Sequence, residues 1–217
     1  LFCVIAAWAQ NDGFVQYQLD NGLTVYLWED HDQPDVQGWT VTRAGAIDEP
    51  ADATGLAHYL EHMLFKGTDR IGALDWEKEQ PLYEQIITLY DTLALTTDAK
   101  AREAVQLRIN EVSLEAAKYA APDEFSNLIQ GIGGEGLNAF TAYDVTCYMN
   151  SFPAYQMERW LTLYADRLTN PVFRSFQAEL ENVFEEYNMY LDDNSTHSRN
   201  FIFGKLNLID FRKEIPN

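Results

Sequence analysis

The chain has 217 residues, of which 47% are hydrophobic, so it can bury one sizeable core and has the composition of a globular domain rather than of a disordered segment. Its 34 acidic and 15 basic residues give a formal net charge of -19, which argues against binding to nucleic acid or to anionic membrane surfaces. The acidic residues are spread along the chain, so we attribute the charge to solubility rather than to recognition of a cationic substrate.

The first nine residues are almost wholly apolar and end in Ala7-Trp8-Ala9, a small-x-small pattern typical of the cleavage site of a secretion signal. We predict that residues 1–9 are the remnant of a signal peptide and that residues 10–217 form a periplasmic or secreted domain. A buried first strand is the alternative, and the segment is too short to span a bilayer. Without it Cys147 is the only cysteine, so no internal disulfide is expected and the thiol is predicted to be buried.

Three β-strands are predicted before Gly45. Residues 15–19 and 23–28 alternate as half-buried strands do, and Asp20-Asn21-Gly22 between them supplies the residues of a tight hairpin turn. Residues 38–44 are predicted to form the third strand, which ends at Gly45.

The motif with the clearest chemistry follows, in residues 58–62. On a helix, His58 and His62 lie four residues apart, so both rings project from one face and can bind one cation, with Glu61 beside them. Zinc prefers neutral imidazole nitrogens, and a catalytic zinc site keeps a position for water, from which Glu61 could take a proton. The chain has only four histidines, so an accidental match on a surface helix is the weaker interpretation.

From about residue 76 to residue 119 the hydrophobic spacing changes to that of two amphipathic helices. Thr96-Thr97-Asp98 offers N-cap residues for the second helix, so the pair is predicted to fold as an antiparallel hairpin. We interpret residues 73–122 as a plain structural insertion.

One strand and one helix are predicted in the next part of the chain. Residues 137–150 alternate as a strand, with a bend or bulge at Tyr143-Asp144, and the glycine-rich residues 131–136 before it are predicted to be a flexible lead-in. Pro153 suits the first turn of a helix that Asn170-Pro171 terminates.

The last predicted helix, residues 175–191, is unusually acidic. Glu179 and Glu186 are seven residues apart and share one face, whereas Glu185 points about a quarter-turn away. A zinc site needs a third protein ligand, and spacing alone leaves Glu179 and Glu186 as candidates, with an ordinary solvated face as the alternative. His31 and His197 lie in polar loops, where a surface role is expected.

The order of His58, Glu61 and His62 is inverted relative to the common zinc peptidase motif, as in the inverzincins. Residues 19–25, 138–148 and 179–186 carry a further likeness to one family of inverzincins. On these stretches, which span most of residues 15–193, the chain resembles the insulinase and pitrilysin family of zinc peptidases. The likeness is greatest to bacterial members with a helical insertion after the motif, which residues 73–122 resemble.

The resemblance implies an α+β domain, in which a mixed, mostly antiparallel sheet is covered by helices, at the N-terminal end of a peptidase. It implies that His58, His62 and Glu186 bind one Zn2+ per chain and that Glu61 is the general base. Glu179 matches a carboxylate that orients the site without coordinating the metal.

Asn138, Ala139 and Phe140 match the strand that such peptidases offer to substrate, so a peptide would bind by adding a strand at a sheet edge. The implied reaction is hydrolysis of peptide bonds in unfolded peptides or small proteins, with Glu61 taking a proton from zinc-activated water and returning it to the leaving amine. In such enzymes a second, similar domain closes over the substrate. A homologous C-terminal half or partner subunit is therefore expected beside the peptide.

Two alternatives stay open from the sequence. The chain could be a non-catalytic interaction or scaffold subunit of a peptidase-like assembly, although its intact motif argues against this. A purely structural zinc site would instead require four protein ligands and no bound water.

Overall fold

The computed structural model of the chain describes residues 13–192. The predicted signal remnant, residues 1–9, and His197 lie outside the described residues. The chain divides between Val36 and Gln37 into two compact units.

The first unit contains the predicted hairpin. Strands β1 (Phe14–Gln18) and β2 (Thr24–Trp28) pair antiparallel, with Phe14 opposite Trp28 and Gln18 opposite Thr24. In the turn, the Gly22 amide donates to the Leu19 carbonyl at 2.9 Å. The hairpin prediction is confirmed.

The other strands form a three-stranded sheet in the order β3-β5-β4, from β3 (Asp35–Thr42), β4 (Glu135–Thr141) and β5 (Thr146–Pro153). Strands β4 and β5 are antiparallel, and β4 lies at an edge of the described sheet. The prediction of one bent strand over residues 137–150 is wrong, because the bend at Tyr143-Asp144 is a hairpin turn. There the Ala142 amide donates to the Val145 carbonyl at 2.8 Å, and the alternation of side chains continues on the returning strand.

The described residues contain six α-helices: α1 (Leu56–Met63), α2 (Trp76–Leu95), α3 (Ala99–Ala116), α4 (Glu124–Gly131), α5 (Met157–Thr169) and α6 (Phe176–Asp192). Together with the antiparallel pairs, they give the predicted class of helices combined with a mostly antiparallel sheet. None of these helices combines the length and the apolar composition needed to cross a bilayer.

The predicted break between α2 and α3 is confirmed. The Asp98 carboxylate accepts a hydrogen bond from the Ala101 amide at 2.8 Å and so caps the start of α3. From the first turn of α3, Arg102 donates to the carbonyls of Leu93 and Thr96, at 2.7 and 2.8 Å, near the end of α2.

Two element boundaries differ from the predictions. Helix α4 occupies residues for which the sequence pattern predicts no element. It includes Gly131, so the glycine-rich lead-in is shorter than predicted. Pro153 ends strand β5 rather than opening a helix, because residues Ala154–Gln156 form a 3-10 turn before α5 begins at Met157.

Helix α5 packs on the sheet through Trp160, whose ring stacks on Phe152 of β5 with centroids 4.8 Å apart. Gly38 of β3 permits this approach, because a Cβ there would lie 2.4 Å from the Trp160 ring. Trp160 Nε1 and the Tyr164 hydroxyl donate to Asn150 Oδ1 at 2.9 and 2.7 Å, so this buried amide oxygen is satisfied. Cys147 of β5 is buried, as predicted.

Candidate metal centre

Helix α1 carries His58, Glu61 and His62, and its start is held by a carboxylate. Gly55, with a φ of 87°, precedes the helix in the left-handed region that glycine adopts without strain. Glu49 accepts hydrogen bonds from the amides of Gly55 and Ala57, at 2.8 and 2.7 Å, with its two carboxylate oxygens. A negative charge at this end also complements the helix dipole.

The other end of α1 is held by Arg167 of α5. Its Nε donates to the Leu64 carbonyl at 3.0 Å, and the guanidinium carbon lies 4.2 Å from the ring centroids of both Phe65 and Tyr148. Burial lowers the pKa of Arg167 to about 10, against the opposing effects of nearby tyrosines and of Glu61. The group therefore stays charged at neutral pH.

Three side chains that could hold a metal ion meet between α1 and α6. The Nε2 atoms of His58 and His62 are 3.2 Å apart, and Glu186 Oε2 lies 3.6 Å from the first and 3.3 Å from the second. Glu185, the neighbour of Glu186, contributes no atom to this group. Of the two glutamates that spacing left as candidate ligands, the structure brings Glu186 to the two imidazole nitrogens.

The donor set and its spacing fit a zinc ion. Tetrahedral zinc with bonds of about 2.0–2.1 Å to nitrogen and oxygen requires its ligand atoms to lie about 3.3 Å from one another. The separations of 3.2, 3.3 and 3.6 Å are close to this value. Two imidazoles and one carboxylate also match the three protein ligands of catalytic zinc sites, which leave the fourth position for water or substrate.

Glu179 lies behind His62 rather than in the cluster. Its Oε1 is 2.9 Å from His62 Nδ1, and Lys66 forms an ion pair with its other oxygen. Burial favours the neutral carboxylic acid, but the hydrogen bonds and charges of Lys66 and His62 outweigh it and hold the pKa of Glu179 below its usual range. An ionised carboxylate can only accept, so the hydrogen of this bond is on Nδ1. In the neutral imidazole that a metal requires, Nε2 then carries the lone pair on the side of the cluster.

Glu61 is buried beside the cluster, with only 6% of its surface exposed. The hydroxyl of Thr141, at the end of β4, donates to Glu61 Oε2 at 2.6 Å. Thr141 was not predicted as a site residue. The signals in the sequence were its position directly after the substrate-strand residues and its place within residues 138–148, which carry the family likeness.

The three residues predicted to bind substrate lie on β4, the strand whose last residue contacts Glu61. Asn138 and Phe140 are exposed, and the Asn138 Oδ1 accepts a hydrogen bond from the Ala139 amide at 2.9 Å. This edge of the described sheet and Glu61 are therefore adjacent. His31, in contrast, is an exposed residue beside Glu29.

A helix with two histidines and a buried glutamate, facing a carboxylate from a second helix, defines a candidate catalytic metal centre of the two-histidine, one-carboxylate kind. The model of the family described as Insulinase (Peptidase family M16) matches residues 24–80 and 100–212, so the chain belongs to this family. The resemblance inferred from the sequence is confirmed.

Known relatives agree with this assignment. The probable zinc protease PqqL of Escherichia coli (strain K12) is 24% identical over 195 residues, which are 87% of this chain and 16% of that protein. The crystal structure of the periplasmic protease PqqL from Escherichia coli matches 90% of this chain and 17% of that one, with a TM-score of 0.59 and 20% identity. The crystal structure of pitrilysin matches 86% and 14%, with a TM-score of 0.52 and 20% identity. The chain thus spans roughly a sixth of the length of these relatives.

Proposed function

We propose that this chain is the zinc-binding domain of a metalloendopeptidase that hydrolyses peptide bonds in unfolded peptides or small proteins. One observation carries the proposal: Nε2 of His58, Nε2 of His62 and Oε2 of Glu186 meet at the separations a zinc ion needs, beside the buried carboxylate of Glu61. Family membership supports peptidase chemistry in general.

His58, His62 and Glu186 would hold one zinc ion per chain. Zinc bound there supplies a Lewis acid that polarises a carbonyl group and lowers the pKa of water. Glu179 fixes the ring of His62 through Nδ1 and so keeps its Nε2 lone pair aimed at the cluster.

Glu61 moves the proton. Its Oε2 accepts the Thr141 hydroxyl, which orients the carboxylate and leaves lone pairs that can take a proton from water. The water oxygen then bonds to the carbonyl carbon, and the same proton passes to the amide nitrogen as the C–N bond breaks. Two peptides leave, and Glu61 returns to its ionised form.

Strand β4, at the edge of the sheet formed by residues 35–153, is the proposed place for the substrate backbone. Asn138, Ala139 and Phe140 lie on this edge strand, and a peptide added there would run past the residue that contacts Glu61. Backbone hydrogen bonds from a strand edge suit unfolded peptides, because a folded substrate has few free backbone groups to offer.

A second, homologous half or partner subunit is proposed to complete the enzyme, because the match covers most of this chain but only 16% of the zinc protease PqqL and 17% of its crystal structure. Location in the periplasm or outside the cell is proposed from the composition of residues 1–9. The description of the structural relative PqqL as periplasmic agrees with this location.

Replacing the proposed base tests the function in the natural protein that contains these residues. Glu61→Gln should lower the rate of cleavage of an unfolded fluorogenic peptide by about 10²- to 10⁴-fold, because it removes proton transfer but no ligand. Its zinc content should stay unchanged, and Glu185→Gln should have no effect on either. An unchanged rate in Glu61→Gln would exclude Glu61 as the base and favour a different mechanism.

A further inference from the structure

We propose that the buried ion pair between Glu79 and Arg174 is a positioning device for the metal centre. It joins α2 to the loop after α1 and to the segment that leads into α6. On this account the pair sets where Glu186 stands relative to the two histidines, so the helical pair α2 and α3 is more than a structural insertion. The inference rests on the proposed zinc-binding function.

The ion pair is bidentate and almost fully buried. Arg174 Nε and Nη2 donate to the two carboxylate oxygens of Glu79 at 2.6 and 3.0 Å, and the side chains are 7% and 3% exposed. Two parallel charge-assisted hydrogen bonds between planar groups fix orientation as well as distance.

Arg174 uses its remaining hydrogens on the loop that follows α1. Nη1 donates to the carbonyls of Lys66 and Ile71, at 3.1 and 3.2 Å, and Nη2 donates to the carbonyl of Thr68 at 2.7 Å. A guanidinium has five N–H groups, and each is engaged here. The ammonium group of a lysine, with three donors on a flexible stem, could not reproduce this set.

These contacts lie where α1 meets α6. Arg174 is two residues before Phe176, the first residue of α6, and the Tyr59 hydroxyl of α1 donates to the Phe176 carbonyl. Lys66, whose carbonyl Arg174 binds, also forms the ion pair with Glu179 of α6. The loop after α1 and the start of α6 are thus held by one connected set of bonds.

Because α6 is a continuous helix, a change of its orientation at the start would displace Glu186 relative to the two histidines. Glu186 is ten residues after Phe176, which corresponds to about 15 Å along a helix axis, so a tilt of about 10° at the start would move it by about 2–3 Å. Such a displacement would take Glu186 Oε2 out of reach of an ion held by His58 and His62.

The zinc affinity of a double-mutant series tests the inference, because the pair is proposed to act through Glu186. In the otherwise natural chain, Glu79→Gln should weaken zinc binding about tenfold, measured by competition with a chelator of known affinity. In the Glu186→Gln background the same substitution should weaken it less than about twofold. Glu111→Gln, which breaks the exposed pair between Arg108 and Glu111 on α3, is the matched control and should change neither value.

A second readout reports coordination rather than stability. The visible absorption bands of the Co2+-substituted chain should shift in Glu79→Gln in the same direction as they shift in Glu186→Gln. The bands should not shift in Glu111→Gln. Circular dichroism establishes that each variant is folded. If Glu79→Gln does not fold, Glu79→Asp is used instead, because it keeps the charge and withdraws the carboxylate by one methylene. Glu79→Asp should weaken zinc binding about threefold in the natural chain and should have a smaller effect in the Glu186→Gln background.

Equal losses of affinity in the two backgrounds would overturn the inference, because the pair would then stabilise the fold without placing Glu186. An unchanged affinity and spectrum in a folded variant would also overturn it. Failure of the natural chain to bind zinc at all would instead contradict the proposed function.

Discussion

At the scale of single residues, His62 is the most firmly positioned of the three side chains in the candidate metal site. Its side chain is 18% exposed, against 41% for His58 and 45% for Glu186, and its Nδ1 is bonded to Glu179. The ionised state of Glu179 depends in turn on Lys66 and His62. A histidine whose second nitrogen is fixed presents the other at a defined angle, so it loses less entropy on binding a metal.

Removing the charge of Glu179 should therefore weaken metal binding without removing a ligand. We expect Glu179→Gln to lower zinc affinity by about 10- to 100-fold, because His62 loses its charged acceptor. Chelator competition gives the affinity, and Glu181→Gln, an exposed glutamate of the same helix, is the control. Equal affinities for the two variants would show that Glu179 does not orient His62.

Asp166 provides a prediction about pH. Burial raises its pKa, but hydrogen bonds from Asn170, Thr68 and Arg70 outweigh burial and hold the pKa below the usual range. A carboxyl group whose pKa is lower in the folded state stabilises the fold above its unfolded pKa of about 3.9, and this stabilisation is lost as pH falls through the folded value.

Urea denaturation at several pH values measures this contribution. The natural chain should be more stable than Asp166→Asn near neutral pH, and the difference should shrink as the pH falls below about 4. A difference that is constant over the whole range would mean that Asp166 does not stabilise the fold through its charge.

At the scale of elements, the hairpin of α2 and α3 shows which features local sequence can predict. The spacing of apolar residues and the capping residue Asp98 are local signals, and both helices were predicted with nearly their observed bounds. Helix α4 has only eight residues, too few for a clear periodicity. The reversal between β4 and β5 was missed because alternation of side chains looks the same in one strand and in two joined by a tight turn.

Removing the N-cap of α3 should lower the stability of the helical hairpin formed by α2 and α3. Asp98→Ala should lower the free energy of unfolding by about 1 kcal/mol, because the Ala101 amide loses its acceptor. Glu103→Ala on the same helix is the control and should change stability by less than about 0.5 kcal/mol. Equal changes in the two variants, measured by urea denaturation, would show that the cap does not stabilise α3.

At the scale of the whole molecule, the candidate site depends on contacts between distant parts of the chain. Spacing alone identified His58 and His62 as a pair but left Glu179 and Glu186 as equal candidates. The structure separates them, with Glu186 at the Nε2 atoms and Glu179 at Nδ1 of His62. Packing of α6 against α1 decides this, and no local pattern reports such packing.

The supporting residues were beyond sequence reasoning for the same reason. Thr141, Arg167 and Arg174 contact Glu61, the end of α1 and the loop after it, respectively, from elements far away in sequence. An isolated threonine or arginine forms no regular spacing pattern with other residues, so its role cannot be predicted from the sequence. Their roles became visible only once the elements were assembled.

The proposed zinc site is best tested by the zinc content of the purified chain, measured by elemental analysis after exhaustive dialysis beside Glu186→Gln and Glu185→Gln. About one zinc ion per chain is expected in the parent and in Glu185→Gln, whereas Glu186→Gln should retain much less zinc because only His58 and His62 remain to hold it. A parent chain that retains no zinc, or equal retention in the two variants, would contradict it.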